Sequence, residues 1–175
     1  MNMRVSCFAF AFLVFAQFAC AVDIAGVKWQ RGLEKKGVSK RVFEDISWLR
    51  IATDNPSVKN LRILVALTNR GDKPVEGSVL RCAFSLRLAK AGAGEGVWTV
   101  PFLVEERRVA RIKPGNSSDV NVYNIDMKPY LARLKGTGFW PDAVKVQLMV
   151  EPRRGDELTG VIYESVLPVS GGPAL

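Results

Sequence analysis

Glu105, Glu106 and Asp119 are the residues of this chain whose type and spacing could together do chemistry. Hydrolysis by carboxylates alone needs two of them facing each other, one to hold a proton and one to activate water or attack. Glu105 or Glu106 with Asp119 is the pair available, and it works only if two strands set these acids across a cleft. The chain contains no histidine. That removes Ser-His-Asp and Cys-His catalysis and almost every zinc site. No glycine-rich phosphate loop follows a strand, and the aspartates are too scattered for a calcium loop. The sequence therefore assigns no catalytic residue, no cofactor and no metal ligand. A carboxylate hydrolase stays as the remote alternative.

Charge offers a different chemistry. Between residues 28 and 41 stand Lys28, Arg31, Lys35, Lys36, Lys40 and Arg41 against the single acid Glu34. Lys35, Lys36, Lys40 and Arg41, with Trp29 beside them, could contact an anionic partner such as an acidic glycan, a phospholipid surface or an acidic protein face. A solvated loop whose cations keep the chain soluble is the plainer account. Nucleic acid is not expected as a partner, since no recognition helix accompanies the charge. Arg-Gly-Asp occurs at Arg70, Gly71, Asp72 and again at Arg154, Gly155, Asp156, both at predicted hairpin tips. Such tips could serve adhesion, although Gly-Asp is also ordinary turn chemistry. Of the tryptophans, Trp98 shares parity with Val100, Phe102 and Val104, and Trp48 with Ile46, so both are expected at the core or its edge.

The elements that must position these residues begin behind a leader. Residues 1–21 have a short basic start at Arg4, an apolar run from Cys7 to Ala19 and the small-x-small sequence Ala19-Cys20-Ala21. That is the layout of a secretory signal peptide, too short to span a membrane. An exported protein, periplasmic or extracellular, is expected, with no transmembrane segment in the mature chain. Lipid anchoring at Cys20 is disfavoured, because Gln17 stands where lipoprotein signals usually carry Leu. Cleavage behind Ala21 would remove one cation and two of the three cysteines. Cys82 would then be alone, on the apolar face of Leu80, Phe84, Leu86 and Leu88, and expected in the core.

The remainder reads as short alternating strands broken by turns. Leu61, Ile63, Val65 and Leu67 share one face of the first clear strand, which stops at Asn69-Arg70-Gly71-Asp72-Lys73-Pro74. Further strands are expected at Leu80–Leu88, Trp98–Val104, Val120–Val122, Val144–Val150 and Gly160–Val169. Earlier ones are expected at Phe43–Ala52 and, less regularly, at Ile24–Trp29. One short helix interrupts them, capped by Asp126, with Pro129 in its first turn and Gly136 as its stop. The organisation expected is a signal peptide at 1–21, a basic segment at 22–42, a sandwich at 43–169 and a flexible tail at 170–175. The fold class is all-β: an antiparallel immunoglobulin-like β-sandwich with one short helix.

Ile63-Leu64-Val65-Ala66-Leu67-Thr68-Asn69-Arg70-Gly71 resembles the "apolar strand, then Thr-Asn-x-Gly" pattern of bacterial exported immunoglobulin-like modules. Ile112-Lys113-Pro114-Gly115 followed by Val120-Asn121-Val122 is similar to their "Pro-Gly, then strand" step. The resemblance covers residues 59–122 and supplies no functional residues. Some modules of this kind accompany type IV pilus-like or secretin systems. It implies a non-enzymatic cell-envelope protein that binds another envelope or surface protein, as an accessory or assembly subunit, through edge strands or the basic segment. An anionic-glycan or envelope-binding module is the alternative.

Overall fold

The structure, a computed structural model, describes residues 22–33, 42–51, 60–90, 95–151 and 162–171. In chain order these form β1 (Val22–Leu33), β2 (Val42–Asp45), β3 (Leu49–Arg50), β4 (Leu61–Asn69) and β5 (Val79–Lys90). There follow β6 (Val97–Trp98), β7 (Leu103–Arg108), β8 (Ser117–Val122), α1 (Lys128–Leu134), β9 (Phe139–Glu151) and β10 (Tyr163–Ser170). Sheet one runs β2-β1-β4-β8 and sheet two β3-β10-β9-β5, with β6 and β7 both pairing on the outer side of β5. All pairings are antiparallel except β3 with β10. This is an immunoglobulin-like β-sandwich, with one short helix among the described residues. Among the described residues, no helix is long and apolar enough to cross a membrane.

Side-chain alternation decides the core, because successive residues of a strand point to opposite faces. Leu61, Ile63, Val65 and Leu67 of β4 face Leu80, Cys82, Phe84 and Leu86 of β5, and all eight are fully buried. Val144, Val146 and Leu148 of β9 complete the layer, with Val120 and Val122 of β8. Cys82 lies among them as a free, buried thiol. Burial pushes its pKa up to about 12, because the thiolate would have to be desolvated.

The sandwich starts earlier than the expected boundary at residue 43. β1 pairs with β4 along nearly its whole length, from Val22↔Asn69 to Arg31↔Leu61, so residues 22–33 are an interior strand of sheet one. The expected strand at Phe43–Ala52 divides in two. β2 folds back on β1, and the chain then crosses to sheet two, where β3 runs parallel to the end of β10. Trp48 lies on this crossing and is exposed, against the expectation of core-edge packing.

The set Trp98, Val100, Phe102 and Val104 also differs from expectation. It is not one alternating strand, because residues 99–102 leave the ladder between β6 and β7. Trp98 pairs with Arg87 and Val104 with Ala83, both on the outer face of sheet two, and Val100 is 78% exposed. Only Phe102 turns inward, packing 6.5 Å from the Phe84 ring and 5.8 Å from Tyr130. Tyr130 belongs to α1, whose Leu131 is buried. Gly136, at φ +77°, follows the helix end as the sequence implied, but the expected cap differs: Met127 is the N-cap and makes no side-chain capping bond, and Asp126, one residue earlier, accepts from the Lys128 N–H at 2.9 Å.

Candidate binding edge

A sandwich that is not closed into a barrel leaves strand edges with unpaired N–H and C=O groups, so each edge must be covered, distorted or used. Here the four edges are unequal. The β6–β7 edge is heavily modified. Thr99 N–H donates to the Leu86 carbonyl at 2.8 Å and Phe102 N–H to that of Phe84 at 2.8 Å, with Val100 and Pro101 thrown outward between them. Beyond this distortion, Glu105 pairs with Cys82 and Arg107 with Leu80, which places both charged side chains on the inner face. They form an ion pair at 3.0 Å. Inward-pointing charges at a sheet margin disfavour a further strand, because pairing there would bury the charged groups away from water.

Two other edges are short or interrupted. β3 has two residues, and beyond it β10 contains Pro168, which has no N–H to offer. The side of the sandwich at β1 and β10 is closed by the Trp29 indole, which donates to the Ser165 hydroxyl at 3.0 Å. β2 has four residues, two of them acidic.

β8, among the described residues, has neither a proline nor a break, and Asp119 is its single charge. Its six residues, Ser117 to Val122, pair without interruption from Thr68↔Ser117 to Ile63↔Val122. The segment has no proline, lysine or arginine. Asn69 N–H donates to the Asn116 carbonyl at 3.0 Å, which sets the bonded parity of the ladder. Ser118, Val120 and Val122 therefore bond to β4, while Ser117, Asp119 and Asn121 turn their main-chain groups to the open side. β8 approaches β7 across the sandwich. Arg107 Nε is buried and has no hydrogen-bond partner among the described residues.

The carboxylates proposed for hydrolysis do not meet. Asp119 pairs with Ala66 and is exposed on the outer face of sheet one. Glu106 is on the outer face of sheet two, bound to Arg81 at 2.8 Å, and Glu105 is tied to Arg107 on the inner face. The alternation of β7 separates neighbours that the sequence places side by side.

The expected anionic-partner contacts divide. Lys35, Lys36, Lys40 and Arg41 lie outside the described residues. Trp29 is in the core, paired with Ile63, 5% exposed and edge-on to Phe84 at 6.2 Å. It has no face for a partner, because its parity on β1 turns it inward. Beside the β1–β2 pairing, however, the outer face of sheet one holds a cluster that sequence reasoning missed. The Arg62 guanidinium lies 3.5 Å from the Phe43 ring centroid and 5.3 Å from that of Tyr123, and its Nε–H donates to Gln30 at 2.7 Å. Gln30 in turn donates to Asp45 at 2.6 Å, holding that carboxyl below its usual pKa. No local sequence pattern relates Gln30, Arg62 and Tyr123; the pairing of β1 with β4 sets Gln30 opposite Arg62. Register likewise sets the Trp98 ring 4.8 Å from Lys145 Nζ on sheet two.

Arg70, Gly71 and Asp72 are on a connection between the two sheets rather than at a hairpin tip, since β4 and β5 belong to different sheets. Arg70 is paired with Asp23 at 3.0 Å. Buried Asn69 laces the connection, donating to the carbonyls of Lys73 at 2.8 Å and Ile112 at 3.0 Å and accepting from Gly71 N–H at 2.9 Å. Arg154, Gly155 and Asp156 lie outside the described residues.

No protein-family model matches the chain, and no curated protein matches it. Among solved structures, a β-glucosidase from Listeria innocua in complex with gluconolactone aligns with 86% of this chain, at 14% identity and a TM-score of 0.33. A β-glucosidase from Kluyveromyces marxianus aligns with 75%, at 20% identity and a TM-score of 0.28. The chain covers 16% of the length of each enzyme. Likenesses at these TM-scores carry no argument about what this protein does.

Proposed function

We propose that this protein is an exported, non-enzymatic β-sandwich that binds another cell-envelope component as an accessory or assembly subunit. The observation that supports this reading is the inequality of the edges: β8 offers a regular, unmodified strand where the other margins are short, proline-bearing or distorted. Export rests on the signal-like residues 1–21, and a pilus- or secretin-like setting rests on the resemblance of residues 63–71 and 112–122 alone. Affinity capture of envelope proteins on the immobilised protein should enrich one defined partner reproducibly. A blank under native membrane conditions would overturn the proposal.

A second reading, an anionic-envelope or acidic-glycan module, is favoured by the brace around Arg62. Phe43, Gln30 and Asp45 brace the β1–β2 pairing, and in the sequence Lys35, Lys36, Lys40 and Arg41 fall between those two strands. Replacing those four cations with Ser should weaken binding to heparin and flatten its salt dependence. Unchanged binding removes this reading.

A further inference from the structure

We propose that the α1 end of the sandwich is a docking surface for an anionic lipid bilayer. Strand pairing defines that end. Asn69 of β4 and Val79 of β5 stand at the other one, where Asn69 bonds to the Lys73 and Ile112 carbonyls and Val109 N–H donates to that of Ser78 at 2.9 Å. At the α1 end, sheet one finishes at Leu61 and Val122, and sheet two at its last rung, Lys90↔Phe139. α1 bridges the two sheets here. Ile125 N–H donates to the Leu61 carbonyl at 3.2 Å, the helix follows, and Thr137 N–H donates to the Leu134 carbonyl at 3.1 Å as the chain turns into β9. Lys128, Arg133 and Lys135 therefore share this end with Lys90, and all four are exposed with no ion pair among the described residues. Beside them Phe139 is 45% exposed, and Val97, paired with Leu88, is 76% exposed.

The nearby acids leave this charge standing. Glu95 and Asp142 both bind Arg87, and the Asp126 carboxylate accepts from the Lys128 N–H. Helix stability does not account for Lys128 either. α1 has no acid in its first turn and begins on this lysine, where the macrodipole favours a negative group. Three of the four cations are lysines, point charges on flexible stems, without the rigid fork by which arginine grips one fixed carboxylate. Such charges suit a fluid array of lipid phosphates better than a single acidic protein face. The exposed Phe139 ring among them supplies an apolar group for the headgroup–acyl boundary, which a polyanion in solution does not offer. The inference rests on the exported, envelope setting of the reading above and not on the β8 edge. That edge lies along the side of the sandwich, so both contacts can form at once.

The test is co-sedimentation of the full chain with vesicles of phosphatidylcholine containing one third phosphatidylglycerol, and with vesicles of phosphatidylcholine alone. The mixed vesicles should bind at least about tenfold more strongly at low salt, and added salt should remove the difference. Replacing Lys90, Lys128, Arg133 and Lys135 together with Gln should weaken binding to the mixed vesicles about a hundredfold while the melting curve holds. Phe139→Ser should weaken it about tenfold. Every variant keeps residues 1–21, so the differences read the α1 end and not the leader. Lys90→Gln and Lys135→Gln, each expected to cost about fivefold, decide the matter should the combined variant fail to fold. Replacing Lys73, Arg108 and Lys113, exposed cations of the other end, should change binding by less than about twofold. The inference is overturned by equal binding to both kinds of vesicle, by a folded combined variant that binds as before, or by equal losses from the two ends. Loss confined to replacement of Lys35, Lys36, Lys40 and Arg41 would return the binding to that segment and also overturn it. So would heparin binding through Lys90, Lys128, Arg133 and Lys135 without vesicle binding, which assigns this end to an acidic polysaccharide. A captured protein partner without vesicle binding sinks this inference alone. Vesicle binding with a blank capture sinks the accessory-subunit reading and supports this surface.

Discussion

The Trp29 indole N–H donates to the Ser165 hydroxyl at 3.0 Å, and this bond joins the two sheets at one side of the sandwich. Trp29 sits on β1 and Ser165 on β10, separated by 136 positions in the chain. The ring is buried edge-on against Phe84, so it contributes both packing and a satisfied polar tip. Trp29→Ala should destabilise the fold by about 3–5 kcal/mol in urea unfolding. Ser165→Ala should cost about 1 kcal/mol, because it strands the indole donor. Equal stability of Trp29→Ala and the native protein would place this residue outside the core.

Asn69 makes a sharper prediction. Its side-chain amide donates to two carbonyls and accepts from Gly71 N–H. Asn69→Ala should cost about 2–4 kcal/mol by removing these bonds from a buried position. Asn69→Asp should be worse at neutral pH, since a carboxylate would face the Lys73 and Ile112 carbonyl oxygens. Acidification should restore part of the loss, because a protonated carboxyl can donate. Chemical denaturation of both variants at two pH values checks the order and its change.

Cys82 gives a pH dependence with a definite sign. Its pKa rises from 9.0 to about 12 on folding, owing first to desolvation. Below the unfolded value neither state ionises, and the thiol contributes its full stabilisation. Between 9.0 and about 12 the unfolded chain releases the proton while the folded chain keeps it, so stability falls as pH rises. The stability difference between the native protein and Cys82→Ala should therefore narrow by up to about 1.4 kcal/mol per pH unit across that window. At neutral pH the thiol should resist alkylation until denaturant is added. Rapid labelling of the folded protein would contradict its burial.

Arg62 tests whether the cluster on sheet one is a unit. Arg62→Lys keeps the charge but loses the planar stack on Phe43 and the fixed donor to Gln30, and should cost about 1 kcal/mol. A double-mutant cycle with Phe43→Leu should return a coupling of about 0.5–1 kcal/mol. Zero coupling would mean that the guanidinium and ring merely lie near each other.

Gly171 has φ +104°, and a Cβ there would meet the Ile51 carbonyl oxygen. Gly171→Ala should thus force apart the short parallel pairing of β3 with β10, costing on the order of 2 kcal/mol. Slower amide exchange at Ile51 in that variant would refute the steric argument.

How much was legible beforehand follows from what each signal depends on. The β4 and β5 cores were readable because period-two alternation is local: Leu61 to Leu67 and Leu80 to Leu86 declare their buried face in consecutive residues. The helix was readable from Pro129 and Gly136 for the same reason, although its N-cap is Met127 and not Asp126. Trp98 was misplaced because alternation predicts a face only while the ladder is unbroken, and residues 99–102 break it. Trp29 was misplaced because the neighbouring cations marked it as surface, whereas its pairing with Ile63 put it inside. The acids at 105, 106 and 119 looked like a set in the sequence, and two sheets separated them.

The sequence by itself determined the fold class, the faces of the regular strands and the chemistry excluded by the lack of histidine, since all of these follow from residue type and short-range spacing. Only the tertiary structure decided which edge stays open. Which strands flank β8 depends on strand order and inter-sheet packing, which join residues that no local pattern relates.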